Sequence, residues 1–189
     1  WADEAPTAID DPEIENYPAN PFFSPAGWQY KLRQDEALVL FTGLPPQCKY
    51  YSFINYILFT QEKELKDYTG EKAYFRVGNQ DIGLYHPVFG SIGSSIHAGN
   101  VKSTDGSPYG SQAVIVISAN QTVTDTVLAQ LKASGFSEDV INVMTIPAET
   151  YRMGLEKGKD TFAFLGRISQ PESQEDYDAY IANLKETST

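Results

Sequence analysis

The sequence predicts an α/β or α+β fold, a single domain whose mixed β-sheet contains one parallel β-α-β crossover. Three consecutive features of the chain support this prediction. The apolar, β-branched run at residues 113–118 is typical of a strand buried on both faces. Residues 120–135 have helical spacing, and a second apolar run covers residues 140–146. Two strands around one helix within about 35 residues indicate a right-handed parallel crossover.

Capping patterns predict the ends of two helices. Thr122 and Asp125 have capping-box spacing, with Asp in place of the usual Glu, so the first helix should begin there and end at Gly135. Ser173 and Asp176 have capping spacing at the start of a C-terminal helix. Its apolar face follows at i, i+3, i+4 and i+7, namely Tyr177, Tyr180, Ile181 and Leu184.

Further elements are predicted on both sides of the crossover. Residues 37–42 and 50–59 form apolar and aromatic strands that we expect to pair antiparallel across the Pro45-Pro46 turn. Other expected elements are short strands at residues 74–77 and 161–165 and a short helix within residues 148–155. Residues 82–112 contain six glycines and two prolines, which favours a long loop, and long loops inside compact domains are usually functional or mobile.

Residues 1–27 differ from the domain predicted at 28–189. This arm has six acidic residues, five prolines and no Lys or Arg, so it cannot build a core of its own. It nevertheless carries large side chains that could anchor it, either on its own domain or on a partner. The anchors proposed to bind a partner are Tyr17, Phe22, Phe23 and Trp28.

Charge and composition exclude several functions. A net charge of −11 opposes unaided binding to nucleic acid or to anionic lipid. No apolar run reaches the roughly 20 residues that span a bilayer, so we expect a soluble protein without membrane insertion. The first residue is Trp rather than Met, as in a processed chain, and Asn120-Gln121-Thr122 is an N-glycosylation sequon. We therefore expect a secreted or organelle-lumenal protein that can carry an N-glycan at Asn120.

Candidate chemistry centres on the glycine-rich segment. Ser94 and Ser95 could present hydroxyls to a ligand, and Asn120 lies at the carboxyl end of a predicted parallel strand, where ligands gather. If the segment folds back, His86 and His97 could meet each other with Asp81 or Cys48. The spacing of these residues matches no metal motif, and neither a P-loop nor a Gly-x-Ser-x-Gly elbow is present. Cys48 is the only cysteine and cannot form a disulfide within the chain. Three roles remain open for it: a buried apolar residue, a covalent link to another chain, or a catalytic thiol.

Two functions follow as hypotheses. The favoured one is a non-catalytic subunit or interaction module of a larger protein assembly, which binds another protein chain partly through its N-terminal arm. The alternative is a small-molecule-binding protein or hydrolase-like enzyme with its site at residues 82–112. The residues themselves indicate no metal and no particular cofactor.

Overall fold

The computed structural model describes residues 29–61, 85–156 and 159–187. These residues contain seven strands and two α-helices. In chain order they are β1 (Gln29–Tyr30), β2 (Ala37–Gly43), β3 (Cys48–Gln61), β4 (Tyr85–His97), β5 (Gln112–Ser118), α1 (Gln121–Ala133), β6 (Ile141–Thr145), β7 (Thr161–Pro171) and α2 (Gln174–Thr187). The strand expected at residues 74–77 lies outside the described residues.

The strands form two sheets. A four-stranded antiparallel sheet has the order β1-β7-β3-β4, and a three-stranded mixed sheet has the order β2-β5-β6. In the mixed sheet, β5 pairs antiparallel with β2 and parallel with β6, and α1 connects the two parallel strands. The predicted fold class and its parallel crossover are therefore confirmed, in the form of an α+β domain. Neither α1 nor α2, the two helices of the described segments, is long and apolar enough to cross a membrane.

The predicted burial of β5 on both faces is also confirmed. Ile115 and Ile117 pack with Phe162 of the four-stranded sheet in the main core, between the two sheets. Val114 and Val116 point the opposite way and pack with Leu131 of α1 in a second core. Successive side chains of a strand face opposite sides, so β5 fills both cores at once. The three-stranded sheet therefore lies between α1 and the four-stranded sheet.

The ends of α1 follow local hydrogen bonding. Asn120, rather than Thr122, is the N-cap residue, and its Oδ1 accepts from the Thr122 N–H at 2.8 Å. The predicted capping box at Thr122 and Asp125 is wrong, because the Asp125 carboxylate instead accepts from Gln121 Nε2 at 2.8 Å. Gly135 ends the helix as predicted. Its φ of 94° favours glycine, and the Phe136 N–H donates to the Leu131 carbonyl at 3.0 Å.

The C-terminal helix begins where its capping pattern indicates. The Ser173 hydroxyl accepts from the Asp176 N–H at 3.2 Å, and α2 starts at Gln174. The predicted apolar face of this helix is only half-buried at Tyr177, Tyr180, Ile181 and Leu184. The Tyr180 hydroxyl donates to the Gly43 carbonyl at 3.2 Å, which places α2 beside the end of β2.

The expected pairing of the second and third strands is wrong. β2 pairs with β5, whereas β3 pairs with β4 and β7 in the other sheet. The reason lies beyond the end of β2. The Leu44 N–H donates to the Ser111 carbonyl at 2.7 Å, and the Gly110 N–H donates to the Pro45 carbonyl at 2.9 Å. The chain thus remains bound to the segment before β5 as it crosses between the sheets, and it cannot turn back as a hairpin.

Two predicted irregular or helical segments have a different structure. Residues 85–97 of the expected loop at 82–112 form β4, which buries Ile92 and Ile96 and accommodates its glycines through irregular pairing near Phe89 and Gly93, both at positive φ. No helix forms at residues 148–155. There the Gly154 N–H donates to the Leu32 carbonyl at 2.8 Å, so the backbone binds another segment instead of its own preceding turn.

Candidate functional site

The structure does not bring the two histidines together. In the ladder between β3 and β4, His97 pairs with Ser52 and His86 pairs with Thr60. At about 3.4 Å per residue, the eight-residue separation along β3 places the two backbones roughly 27 Å apart. Asp81, the proposed carboxylate partner, lies outside the described residues.

The ring Nδ1 and the backbone nitrogen of His97 both form hydrogen bonds with residues that follow it closely in the sequence. Its Nδ1 accepts from the Gly99 N–H at 3.0 Å, and its backbone N–H donates to Asn100 Oδ1 at 2.7 Å. The Asn100 amide also donates to the Ser95 carbonyl at 2.9 Å. A side chain at Gly99 would crowd this turn, because its Cβ would lie 3.1 Å from His97 Cε1. This imidazole therefore organises the turn that follows β4.

Cys48 is a core residue at the start of β3. Its side chain is 3 % exposed and belongs to the core between the sheets. Burial raises the pKa of the Cys48 thiol, with a smaller contribution in the same direction from Glu172. The thiolate form that nucleophilic chemistry needs is therefore disfavoured.

The serines and Asn120 lie toward the same end of the three-stranded sheet. A Cβ placed on Gly93 would be 3.9 Å from the Thr145 carbonyl oxygen, at the carboxyl end of β6. Thr145 pairs with Ser118, the last residue of β5. Ser94, next to Gly93, is exposed and Ser95 is half-buried, while Asn120 is exposed at the cap of α1. Gly93 of the glycine-rich segment therefore lies near the carboxyl end of β6.

An ion pair between the partly exposed Arg152 and the buried Asp160 lies near the carboxyl end of β3. Asp160 is 3 % exposed, and its carboxylate accepts from the Thr60 hydroxyl at 2.8 Å and from the Arg152 backbone N–H at 2.8 Å. Arg152 Nε lies 3.3 Å from the same carboxylate. These bonds hold Asp160, and through it Arg152, against β3. Helical and strand periodicity gave no indication of this pair, because its members belong to irregular chain.

A second buried polar contact joins β1 to β3. The Tyr30 hydroxyl donates to Asn55 Oδ1 at 3.0 Å, and burial raises the pKa of Tyr30 well above its ordinary value. Asn55 Nδ2 has no hydrogen-bond partner among the described residues. Asn55 pairs with Phe164 and Ile92 on the neighbouring strands, so the amide lies among apolar side chains. In residues 29–61, 85–156 and 159–187, no group of three or more His, Cys, Asp or Glu side chains could hold a metal ion.

Several large apolar side chains are exposed on the strands: Phe41, Tyr50, Val88, Phe89 and Val143. Phe41 is 63 % exposed and contacts the Phe136 ring at 5.4 Å between centroids. Phe41 of β2 and Val143 of β6 lie on the face of the three-stranded sheet that α1 packs against, at its two edges. One helix covers the middle of this face and leaves both sides accessible.

The proposed partner anchors Tyr17, Phe22, Phe23 and Trp28 lie outside the described residues.

We predict that the Cys48 thiol reacts slowly in the folded protein, because burial both shields it and disfavours the thiolate. Labelling with a disulfide reagent at neutral pH should be at least about 100-fold slower than in denaturant, since the reaction requires opening of the core. Cys48 is the only thiol, so the readout is unambiguous, and Cys48→Ala gives the background. Labelling of the folded chain as fast as that of the unfolded chain would contradict this prediction.

Comparison with known proteins identified no relative of this chain. No family model, no curated protein and no solved structure matches the chain. The contacts and exposed surfaces described above are therefore the basis for assigning a function.

Proposed function

We propose that the chain is a non-catalytic subunit or interaction module of a larger protein assembly. The observation that carries this proposal is the exposure of large apolar side chains on its strands, above all Phe41 at 63 %. Exposed apolar surface costs free energy in water, and its burial against a partner recovers that free energy. The partner is another protein chain, since a charge of −11 opposes nucleic acid and anionic lipid.

The contacts of the potentially reactive side chains support the same proposal. His97 binds its own turn through Nδ1, and the Cys48 thiol is buried in the core. Arg152 is paired with Asp160. Each of these groups has a role in folding, which accounts for its presence without any catalytic chemistry.

The N-terminal residues 1–27 supply part of the docking in this proposal. Their acidic and proline-rich composition cannot build a core, yet Tyr17, Phe22 and Phe23, with Trp28 just beyond, are residues of the type that dominate protein interfaces. Binding would order this segment, and the four aromatic side chains would provide most of the free energy of association.

The test uses the full chain, isolated with its stoichiometric partner from the native source and then reconstituted from purified components. Trp28→Ala and Phe22→Ala should each raise Kd at least about 30-fold, because truncation of an interface anchor costs about 2 kcal/mol or more. Thr7→Ala and Asn16→Ala, in the same segment, are the matched controls and should change Kd less than about threefold. Deletion of residues 1–27 without any change in Kd would refute docking through this segment.

A second candidate function has one contact in its favour. A small-molecule-binding protein or hydrolase-like enzyme would have its site in residues 82–112, and Gly93 lies beside the Thr145 carbonyl at the carboxyl end of β6. Ligands of sheets with parallel strands gather at such ends. Ser94 and Ser95 would then provide the hydroxyls, without the two-histidine arrangement.

This second function is tested with inorganic phosphate and p-nitrophenyl acetate. If it is correct, phosphate should raise Tm or the ester should be hydrolysed, and combined Ser94→Ala and Ser95→Ala should abolish the effect. Ser91→Ala, an exposed serine of the same strand, is the control. Equal behaviour of the wild type and the double variant toward both probes would remove the candidate.

We also propose that the protein follows a secretory route, to the outside or to an organelle lumen, and carries an N-glycan at Asn120. The side chain is exposed, and its Oδ1 accepts from the Thr122 N–H at 2.8 Å. None of the described residues accepts a hydrogen bond from its amide nitrogen, so that atom is accessible for modification. The cap itself needs only the oxygen, so a glycan on nitrogen leaves it intact.

Expression in a secretory eukaryotic host should give a protein whose mass falls on treatment with peptide N-glycosidase. Asn120→Asp should lose the glycan while keeping the cap, because Asp and Asn are comparable N-cap residues. Asn120→Ala should lose both and unfold with about 1 kcal/mol less free energy. An unchanged mass after enzyme treatment of the wild type would rule out modification at this residue.

A further inference from the structure

We infer that the outer edge of β2 is a docking edge for an extended, positively charged peptide segment of another protein, which adds a strand to the three-stranded sheet. This inference rests on the proposed role in protein interaction and gives that role a second surface and a partner chemistry. The surface belongs entirely to described residues and does not depend on residues 1–27.

Backbone groups along β2 are available to such a strand. The Leu44 N–H donates to the Ser111 carbonyl, so even-numbered residues of β2 bond to β5 and odd-numbered residues direct their backbone groups outward. The Gly43 carbonyl agrees with this alternation, since it accepts from the Tyr180 hydroxyl. Outward groups at Ala37, Val39 and Phe41 have no hydrogen-bond partner in the described part of the chain. Free edge groups of this kind form backbone hydrogen bonds with an added strand.

A groove for alternate side chains lies beside this edge. The space between β2 and α1 has a volume of about 290 Å³. Its lining is largely apolar or methyl-bearing and is formed by Asp35, Ala37, Thr122, Val123, Thr126 and Val127. Phe41, 63 % exposed, continues this surface along β2 toward Phe136. Every second residue of an added strand would face the groove, and apolar side chains there would bury surface that water now covers.

Charge identifies the kind of peptide. The side chain of Asp35, at the amino end of β2, is 84 % exposed. The other end of β2 lies beside α2, which carries Glu175, Asp176 and Asp178 within about two turns of Tyr180. Arg33, a cation at the amino end, pairs with Glu36 at 2.7 Å and lies 3.9 Å from Asp35, so one positive charge stands beside two carboxylates. Acidic groups therefore flank both ends of the edge, and Lys or Arg at both ends of a peptide would complement them.

The same charges disfavour a second copy of the chain as the occupant. Antiparallel pairing of two β2 edges would place Asp35 of each copy toward the acidic start of α2 in the other, between chains of net charge −11. The other strand edges are less suited to pairing. β4 contains Pro87 and is irregular near Phe89, β1 has only two residues, and Asn142 at the start of β6 binds Lys102.

The experiment titrates the full chain into a labelled peptide and measures fluorescence polarisation. The peptide has alternating Val and Thr residues in its middle and a pair of lysines at each end. We expect saturable binding that weakens as salt rises, and no binding of the same peptide flanked by glutamates. Phe41→Lys should weaken binding at least about tenfold, because it places a like charge on the surface that continues the groove along β2. Val143→Lys, another exposed apolar position, at the opposite edge of the same sheet, is the matched control and should leave Kd within about twofold.

Backbone pairing is tested separately with two N-methylated versions of the peptide. Methyl groups on alternate residues remove the hydrogen-bond donors of one peptide edge, so one version should lose binding and the other should keep it. Equal binding of the two versions, an equal effect of Phe41→Lys and Val143→Lys, or a dimer in sedimentation that Phe41→Lys dissociates would overturn the inference. Trp28→Ala should leave Kd for this peptide unchanged, so failure of the proposed docking through the N-terminal residues and failure at the β2 edge can be distinguished.

Discussion

The burial of β5 on both faces is the constraint from which the architecture follows. Ile115, Val116 and Ile117 are all fully buried, so water must be excluded from both sides of one strand. At about 25 cal/mol per Å² of apolar surface, burial of such side chains is the main source of stability. α1 covers one side and the four-stranded sheet covers the other. The crossover to β6 and the antiparallel addition of β2 then complete the sheet around this central strand.

This constraint also explains where the surface is incomplete. A single helix of 13 residues lies over a three-stranded sheet and cannot cover both of its edges. Phe41 and Val143 are consequently exposed on the strands that flank β5. The exposed side chains are thus a result of the layer arrangement rather than of an unusual local sequence. The partner proposed above would bury these side chains by extending the sheet or by covering its sides.

Local patterns were sufficient for the crossover, for the strands β2, β3 and β7 and for the start of α2, but not for the pairing of the strands or for β4. The apolar run of β5, the spacing of α1 and the glycine after it are all encoded within a few residues of each other, so their structure could be predicted. The pairing of β2 depends on hydrogen bonds between Leu44 and Ser111, which are far apart in the sequence. β4 was missed because Pro87 and its glycines indicate a loop, although Ile92 and Ile96 reach the core. Of the candidate site, the separation of His86 from His97 and the exposure of Phe41 are tertiary properties that no local pattern contains.

The aromatic composition of the core has a practical consequence for spectroscopy. Tyr51 is buried between the sheets and donates to the Pro108 carbonyl at 2.7 Å, and its ring neighbours are Phe53 and Tyr109. Both tryptophans of the chain, Trp1 and Trp28, precede β1. Indole emission therefore comes only from residues that precede β1, whereas Tyr51 and Tyr109 contribute tyrosine signals from the packed core. One sample thus carries two kinds of intrinsic optical probe, and the indole probe is confined to the N-terminal residues.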